Sequence, residues 1–222
     1  MENILHIISL LSNGIVVTLE VFVFTLLFSL PLGLLICFGR QCKIKLVSAF
    51  FRLYISIMRG TPLMLQLFIV YYCPYYLFHI KLSVFGDNYR MIAVLIGFIM
   101  NYAAYFAEIY RSGIESMPIG QYEASKVLGY SRTQTFCVII LPQVIRRIIP
   151  TVTNEVITLV KDTSLAYTIG VIEMFTIAKQ VSSAQTNITA LLVAGVIYYV
   201  LNFVVAYGME KLEKRMNYYS IK

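Results

Sequence analysis

The chain has 222 residues, of which 59% are hydrophobic and only 13% are charged. Soluble domains carry about a quarter charged residues, so the composition excludes an ordinary soluble domain. The formal net charge of +7 comes without a zinc-finger or RNA-binding signature, and it does not indicate nucleic-acid binding. The length leaves room for five or six membrane helices of roughly 20 apolar residues each. The sequence therefore predicts a polytopic, all-α membrane protein.

Five apolar runs are long enough to cross a bilayer. They cover residues 14–38, 50–78, 91–110, 148–172 and 188–209. Residues 1–13 contain Glu2 but no Lys or Arg, so they lack the positive start of a secretory signal. We expect them to be an extracytoplasmic N-terminus, followed by a membrane domain over residues 14–210 and a C-terminal tail over 211–222.

The basic residues predict the orientation of these spans. Thirteen of the 18 Lys and Arg residues fall between spans one and two, between spans three and four, or after span five. Only three, Lys81, Arg90 and Lys179, fall on the other side. Because basic residues collect in cytoplasmic loops, the side with thirteen is predicted to be cytoplasmic. The N-terminus is then outside and the C-terminus inside.

Several ionisable residues interrupt the apolar runs, where a charge costs roughly 2.5–3.5 kcal/mol to insert. They are Arg59, Glu108, Glu155, Lys161 and Asp162. Polar residues at helical spacing accompany them in three spans. These are Arg59, Pro62 and Gln66 in the second, Asn101, Tyr105, Glu108 and Ser112 in the third, and Thr151, Glu155, Thr158 and Asp162 in the fourth. Such stripes indicate either a lined pathway or a hydrogen-bonded seam between packed helices, and the spacing alone does not decide between them.

No catalytic or metal-binding constellation accompanies these stripes. The four cysteines form no CxxC pair, and the two histidines, His6 and His79, stand apart. An integral membrane enzyme would need clustered ligands or a Ser/His or His/Asp arrangement, so that alternative is disfavoured. There is also no GxxxxGK[ST] phosphate-binding loop.

The connection between spans three and four, residues 111–147, is far longer than the usual helix–helix loop of about 2–8 residues. Pro118 suits a first helical turn, and Gly129 suits a helix C-cap. The sequence from Ser131 to Gln134 predicts a capping box that opens a second short helix, which Pro142 is expected to end. We therefore expect two short surface helices that dock a soluble partner, or else an interfacial helix lying on lipid.

This segment resembles the EAA motif of ABC importer permeases, EAA-x3-G-x9-I-x-L-P. Its residues here are Glu123, Ala124, Ser125, Gly129, Ile139, Leu141 and Pro142, with Ser125 replacing the third alanine. Three further stretches are similar to the polar amino-acid uptake subfamily. They are RGTPL from Arg59 with QLF from Gln66, AYFAEIYRSGI from Ala104, and Asn154-Glu155 followed by KDTSL from Lys161.

The resemblance implies the type I importer fold, with five transmembrane helices and a cytoplasmic coupling helix, in a bacterial plasma membrane. It also implies two separate ATPase subunits, which bind the ATP and Mg²⁺, a second permease and an extracytoplasmic amino-acid-binding protein. This chain itself would bind no cofactor and catalyse no reaction. The coupling segment would span about residues 115–142, with Glu123, Ala124, Ser125, Gly129, Leu141 and Pro142 coupling it to the ATPase.

A polar amino acid needs groups of both signs in a partly dehydrated cavity. We expect Glu155 and Asp162 to receive its ammonium group or a cationic side chain. The remaining candidates for the translocation path are Asn101, Thr158, Lys161, Thr163 and Ser164. Arg59 and Glu108 are expected to be structural or gating charges. The competing interpretation, an ATP-independent secondary transporter or channel, does not explain the ordered cytoplasmic segment and lacks paired repeats.

Overall fold

A computed structural model describes residues 2–80, 86 and 88–216, and every regular element in these ranges is helical. Predictions that fall on Lys81, or on Lys222 and the rest of the tail from residue 217, lie outside the described residues. The helices are α1 (Glu2–Arg40), α2 (Lys45–Gly60), α3 (Leu63–Phe78), α4 (Tyr89–Glu115), α5 (Ile119–Val127), α6 (Arg132–Gln134), a π-helical segment (Thr135–Ile140), α7 (Leu141–Asp162), a 3-10 segment (Thr163–Ile169), α8 (Met174–Gln185) and α9 (Thr189–Met216).

Helix α4 is the centre of the bundle, and its two ends define the two ends of the molecule. At its C-terminal end Glu108 forms ion pairs with Arg111 of the same helix and with Arg40, the last residue of α1. We call this the Arg40 end. At its N-terminal end Arg90 donates a hydrogen bond to the carbonyl of Gly170, which lies shortly before Glu173. We call this the Glu173 end. Helix α1 runs parallel to α4, because its Thr18 lies at the Glu173 end and its Arg40 at the other, whereas α7 runs antiparallel to α4.

Four helical runs are long and apolar enough to cross a membrane, and the bent pair α2–α3 supplies a fifth. Helix α2 starts at the Arg40 end, where the Ser48 hydroxyl donates to the Arg40 carbonyl at 2.6 Å. Helix α3 reaches the Glu173 end, where the Tyr89 hydroxyl donates to the Tyr71 carbonyl at 2.8 Å. The pair therefore runs from one end of α4 to the other as one broken span, and the fold of five membrane helices is confirmed.

The first span was predicted to begin at Gly14, but α1 begins at Glu2. At 1.5 Å per residue its 39 residues extend about 58 Å, well beyond a hydrocarbon layer of about 30 Å. Ile7 and Leu11 are fully buried in a cluster with α8 and α9. The helix extends over this segment because Ile7 and Leu11 have this cluster to pack against.

The second span was predicted to be continuous, and it is broken between Gly60 and Leu63 with a bend of 113°. Pro62 favours an extended residue before it and lacks a backbone N–H, so the helix stops there. At the break the Gln66 side-chain amide donates to the carbonyl groups of Met58 and Thr61, at 2.9 and 3.1 Å. In lipid such groups must be satisfied internally, and this amide does so.

Pro142 was predicted to end a short helix, and this prediction is wrong. The helix that starts at Arg132 continues through the π-helical segment and α7 to Ile169. The backbone N–H of Leu141 donates to the carbonyl of Phe136, five residues back. The wider π turn accommodates Pro142 at the start of α7, where its missing N–H is tolerated. The predicted second short helix is thus the first turn of the fourth span.

Helix α8 was not predicted. Glu173 caps its N-terminus by accepting from the backbone N–H groups of Phe175 and Thr176, both at 2.7 Å. An ideal Cβ on Gly14 of α1 would lie 2.5 Å from the Met174 backbone. Only glycine permits this close approach of α1 to α8.

Candidate functional site

A cavity of about 250 Å³ lies between the break in the second span, the middle of α4 and the C-terminal part of α7. It is lined by Thr61, Pro62, Leu63, Asn101, Tyr102, Tyr105, Glu155, Thr158 and Asp162. Polar residues from the stripes of the third and fourth spans therefore meet at one cavity, and Pro62 from the stripe of the second span borders it. This convergence favours a lined pathway over a purely structural seam.

The cavity includes only part of the predicted translocation path. Asn101, Glu155, Thr158 and Asp162 line it. The other three candidates are Lys161, Thr163 and Ser164, which do not. Thr163 is fully buried, and its hydroxyl donates to the Val160 carbonyl at 2.7 Å.

Lys161 and Ser164 lie outside the lining for a geometric reason. Lys161 is exposed on the other side of α7 from Asp162, because adjacent helical residues diverge by about 100°. The Ser164 hydroxyl donates back to the Lys161 carbonyl at 2.8 Å. The KDTSL stretch therefore places one side chain, that of Asp162, in the cavity.

Tyr102 is a cavity residue that the sequence did not reveal. Its hydroxyl donates to the Asp162 carboxylate at 2.7 Å, and its side chain is almost wholly buried. An aromatic residue in an apolar span gives no sign of such a role. Tyr102 fixes one Asp162 oxygen, while Glu155 has no hydrogen bond or ion pair with another described residue.

The opposite wall of the cavity is the N-terminus of α3. Thr61, Pro62 and Leu63 line it, and the first N–H groups of a helix carry a partial positive charge and lack intrahelical partners. The Asn101 side-chain amide donates to the Gln66 side chain at 3.0 Å and to the Met58 carbonyl at 3.1 Å. Asn101 therefore braces this break as well as facing the cavity.

Arg59 and Glu108 belong to a charge cluster next to the cavity on its Arg40 side. The Arg59 guanidinium lies 5.3 Å from the centre of the Tyr105 ring and 3.9 Å from the Glu108 carboxylate. Glu108 also pairs with Arg40 and Arg111. One carboxylate therefore joins α1, α2 and α4.

The coupling segment presents a separate surface at the Arg40 end. Helix α5 is almost entirely exposed, and its apolar residues Ile119 and Val127 and its C-cap residue Leu128 are 72–87% exposed. Glu123 and Ala124 are exposed, whereas Ser125 is buried and its hydroxyl donates to the Gln121 carbonyl. Ser125 therefore faces the protein itself, where its small size permits close packing.

The motif glycine has the predicted conformation. Gly129 has φ +79°, and the N–H of Tyr130 donates to the Ser125 carbonyl at 3.0 Å. Together with the bond from Gly129 to Lys126 this is the Schellman C-cap, which favours glycine. The capping box of Ser131 and Gln134 is also confirmed. Leu141 and Pro142 lie at the start of α7, and α6 and the π-helical segment separate them from α5.

Within the described ranges no group of three or more His, Cys, Asp and Glu side chains is arranged to hold a metal ion. The fold and the cavity thus define a multi-pass membrane transport protein with a short, exposed helix between its third and fourth spans. Residues 29–218 match the family described as binding-protein-dependent transport system inner membrane component, and the chain belongs to this family. It is a membrane permease subunit of an ABC importer.

Characterised relatives and a solved structure agree with this assignment. The chain is 35% identical to the L-cystine transport system permease protein TcyB of Bacillus subtilis, over 96% of this chain and 89% of that protein. It is 38% identical to the octopine transport system permease protein OccM of Rhizobium radiobacter, over 91% and 84% of the two chains. An amino acid ABC transporter crystallised with histidines superposes with a TM-score of 0.84 at 27% identity, covering 96% of this chain and 97% of that one.

Proposed function

We propose that this permease carries a polar amino acid through the cavity between α3, α4 and α7. The observation that carries the proposal is the placement of two acidic side chains, Glu155 and Asp162, opposite the N-terminus of α3. A zwitterion has its ammonium and carboxylate groups a few ångströms apart. The acidic wall offers negative charge to the ammonium group, and the N-terminus of α3 offers partial positive charge to the carboxylate. Glu155, whose carboxylate has no described partner, receives the ammonium group, and the α3 N-terminus receives the carboxylate.

The relatives support an amino acid as substrate. Their names specify L-cystine and octopine, and the solved transporter was crystallised with histidines. These solutes share the zwitterionic amino-acid head group and differ in the side chain. We expect the cavity to recognise the head group, while an extracytoplasmic binding protein delivers the substrate and sets most of the selectivity.

Uptake by the assembled transporter in proteoliposomes tests the cavity. We expect Glu155→Gln to slow uptake at least tenfold. Uptake of a cationic amino acid should fall more than uptake of a neutral one, because the removed charge attracts the side-chain cation as well as the ammonium group. Asn154→Gln, an exposed neighbour on α7 that does not line the cavity, is the matched control. Equal uptake by wild type and Glu155→Gln for every amino acid transported removes Glu155 from the path.

We also propose that the exposed face of α5 docks a separate ATPase subunit, which binds the ATP and Mg²⁺, so that this chain catalyses no reaction itself. Exposed apolar residues on a short, firmly capped helix support a protein contact. The full particle would contain two ATPase subunits and a second permease, identical or homologous. Glu123, which has no described partner, would meet a basic or N–H donor of the ATPase.

Gly129→Leu tests this coupling. A leucine at φ +79° is strained by about 1–2 kcal/mol, and the strain would unwind the cap next to the docking face. We expect normal membrane insertion, with substrate-stimulated ATPase activity and uptake both lost. Gly208→Leu in α9, where no atom lies within 4 Å of an added Cβ, should leave both intact. Normal uptake by Gly129→Leu contradicts the docking role.

The proposed topology places the Arg40 end in the bacterial cytoplasm, with the N-terminus outside. The basic residues of the described part of the chain support it, because twelve of them, from Arg40 to Arg215, lie on the side of the Arg40 end and only Arg90 and Lys179 on the other. A reporter that is active only in the cytoplasm, fused after residue 222, should be active, and the same reporter before residue 1 should be silent. The reverse pattern refutes the orientation.

A further inference from the structure

A second pocket, of about 400 Å³, lies at the Arg40 end and is not part of the cavity described above. It is lined by Arg40 and Gln41 from the end of α1, Ser48 and Arg52 from α2, and Arg111 and Glu115 from α4. Three guanidinium groups from three different helices therefore border one space. We call it the arginine pocket.

The arginine pocket has more hydrogen-bond donors than acceptors. A guanidinium carries five N–H donors. Arg111 uses three on Glu108 and Glu115, Arg40 uses one on Glu108, and Arg52 makes no ion pair or hydrogen bond with another described residue. Most donors of Arg40 and all donors of Arg52 are thus left for a ligand or for water.

The pocket lies where a membrane surface begins. Phe38, 47% exposed, is only two residues before Arg40 on α1. Helix α2 has an exposed apolar stripe that includes Leu46, Phe50 and Leu53, which are 61–81% exposed. Ser48 and Arg52 lie on another face of the same helix, with Lys45 one turn before Ser48. An apolar stripe beside a basic one is the pattern of a helix at the lipid–water interface.

We propose that the arginine pocket binds the phosphate group of an anionic phospholipid, whose acyl chains lie along the exposed apolar side chains of α1 and α2. Guanidinium groups pair with phosphate oxygens through two parallel hydrogen bonds, which gives both strength and geometry. Basic pockets between membrane helices at the cytoplasmic surface bind lipid head groups in this way. A soluble phosphate ion offers the same oxygens but gains nothing from the apolar stripe.

A bound phosphate would also compete with protein carboxylates. Arg40 and Arg111 already hold Glu108, and Glu108 lies 3.9 Å from Arg59 beside the first cavity. If the phosphate binds Arg40 in place of Glu108, the Glu108 carboxylate pairs only with Arg59 and Arg111. Lipid in the arginine pocket would therefore change how α1 is held to α4, one contact away from the residues that border the translocation path.

The test measures phospholipid that stays bound to the assembled transporter. The complex is released from native membranes, and native mass spectrometry counts its bound phosphatidylglycerol and cardiolipin. We expect wild type to retain such lipid and Arg52→Gln to retain about tenfold less, because the variant loses the charge-assisted hydrogen bonds of the guanidinium group to the phosphate. Arg52→Lys keeps the charge but loses the paired donors, so it should lie between them.

Arg215→Gln is the matched control, because Arg215 is an exposed arginine at the same end of the molecule that does not line the pocket. It should retain lipid as wild type does. Equal retention by wild type and Arg52→Gln overturns the proposal. A second arm titrates inorganic phosphate into complexes in phosphatidylcholine nanodiscs. Saturable phosphate binding there, without preferential retention of anionic lipid, overturns the assignment to lipid. The outcome is independent of the uptake tests above, because it does not depend on which solute is carried.

Discussion

The two ends of the helix bundle each use one carboxylate to hold several helices, but they do so in different ways. At the Arg40 end Glu108 is partly exposed and pairs with three arginines. At the Glu173 end Glu173 is fully buried and accepts from neutral donors. Charged pairs near water are weak and can be exchanged, whereas a buried carboxylate whose bonds are all made resists change. The comparison indicates a rearrangeable Arg40 end and a fixed Glu173 end.

The Glu173 end is fixed because one side chain joins three helices. Glu173 accepts from the Phe175 and Thr176 N–H groups of α8, from the Tyr198 hydroxyl of α9 at 3.0 Å and from the Thr18 hydroxyl of α1 at 3.5 Å. Burial raises the pKa of this carboxyl above its ordinary value of 4.5, against the opposing effect of the hydrogen bonds.

The largest expected effect is the loss of this carboxylate. Glu173→Ala leaves buried donors of α1, α8 and α9 without an acceptor, at about 1–3 kcal/mol each. We expect a loss of about 3 kcal/mol or more in stability, seen as a large fall in the melting temperature of the detergent-solubilised complex. Glu173→Gln keeps an acceptor oxygen and should lose less than half as much. If both variants have the same melting temperature as wild type, the Glu173 end is not fixed by this side chain.

A smaller effect is expected from pH. Because the folded protein has the higher Glu173 pKa, it binds the proton more tightly than the unfolded chain. The stability due to protonation is full below the unfolded value of 4.5 and is lost as pH rises through the folded pKa. The melting temperature of wild type, relative to Glu173→Gln, should therefore fall as pH rises from 4.5. A relative rise over this range contradicts the shift.

The smallest effect on stability is expected at the Arg40 end. Glu108 and its partners are about 20–40% exposed, and pairs of this kind contribute about 0–1 kcal/mol. Glu108→Gln should leave the melting temperature within a few degrees of wild type while changing the ratio of transport to ATP hydrolysis. Glu115→Gln, which removes a more exposed partner of Arg111, is the control and should change neither. A large fall in melting temperature for Glu108→Gln would show that this end is as fixed as the other.

The sequence determined the features that repeat at short range or depend on a single backbone position. The apolar runs predicted five spans because a membrane helix must be apolar along its length. The capping box at Ser131 and the C-cap at Gly129 were predicted because their hydrogen bonds join residues three to five positions apart. The polar stripes were predicted from helical periodicity, and some residues of each line one cavity.

Only the tertiary structure decided which of those polar groups meet. Tyr102 reaches Asp162 across 60 positions of the chain, and Thr18 reaches Glu173 across 155. Neither contact has a local sequence signature, because the residues on one helix face do not specify which other helix will pack against that face. The break at Pro62 and the passage of the helix through Pro142 also depended on donors and turns supplied by neighbouring segments. Periodicity fixes which residues share a face, and packing fixes what that face contacts.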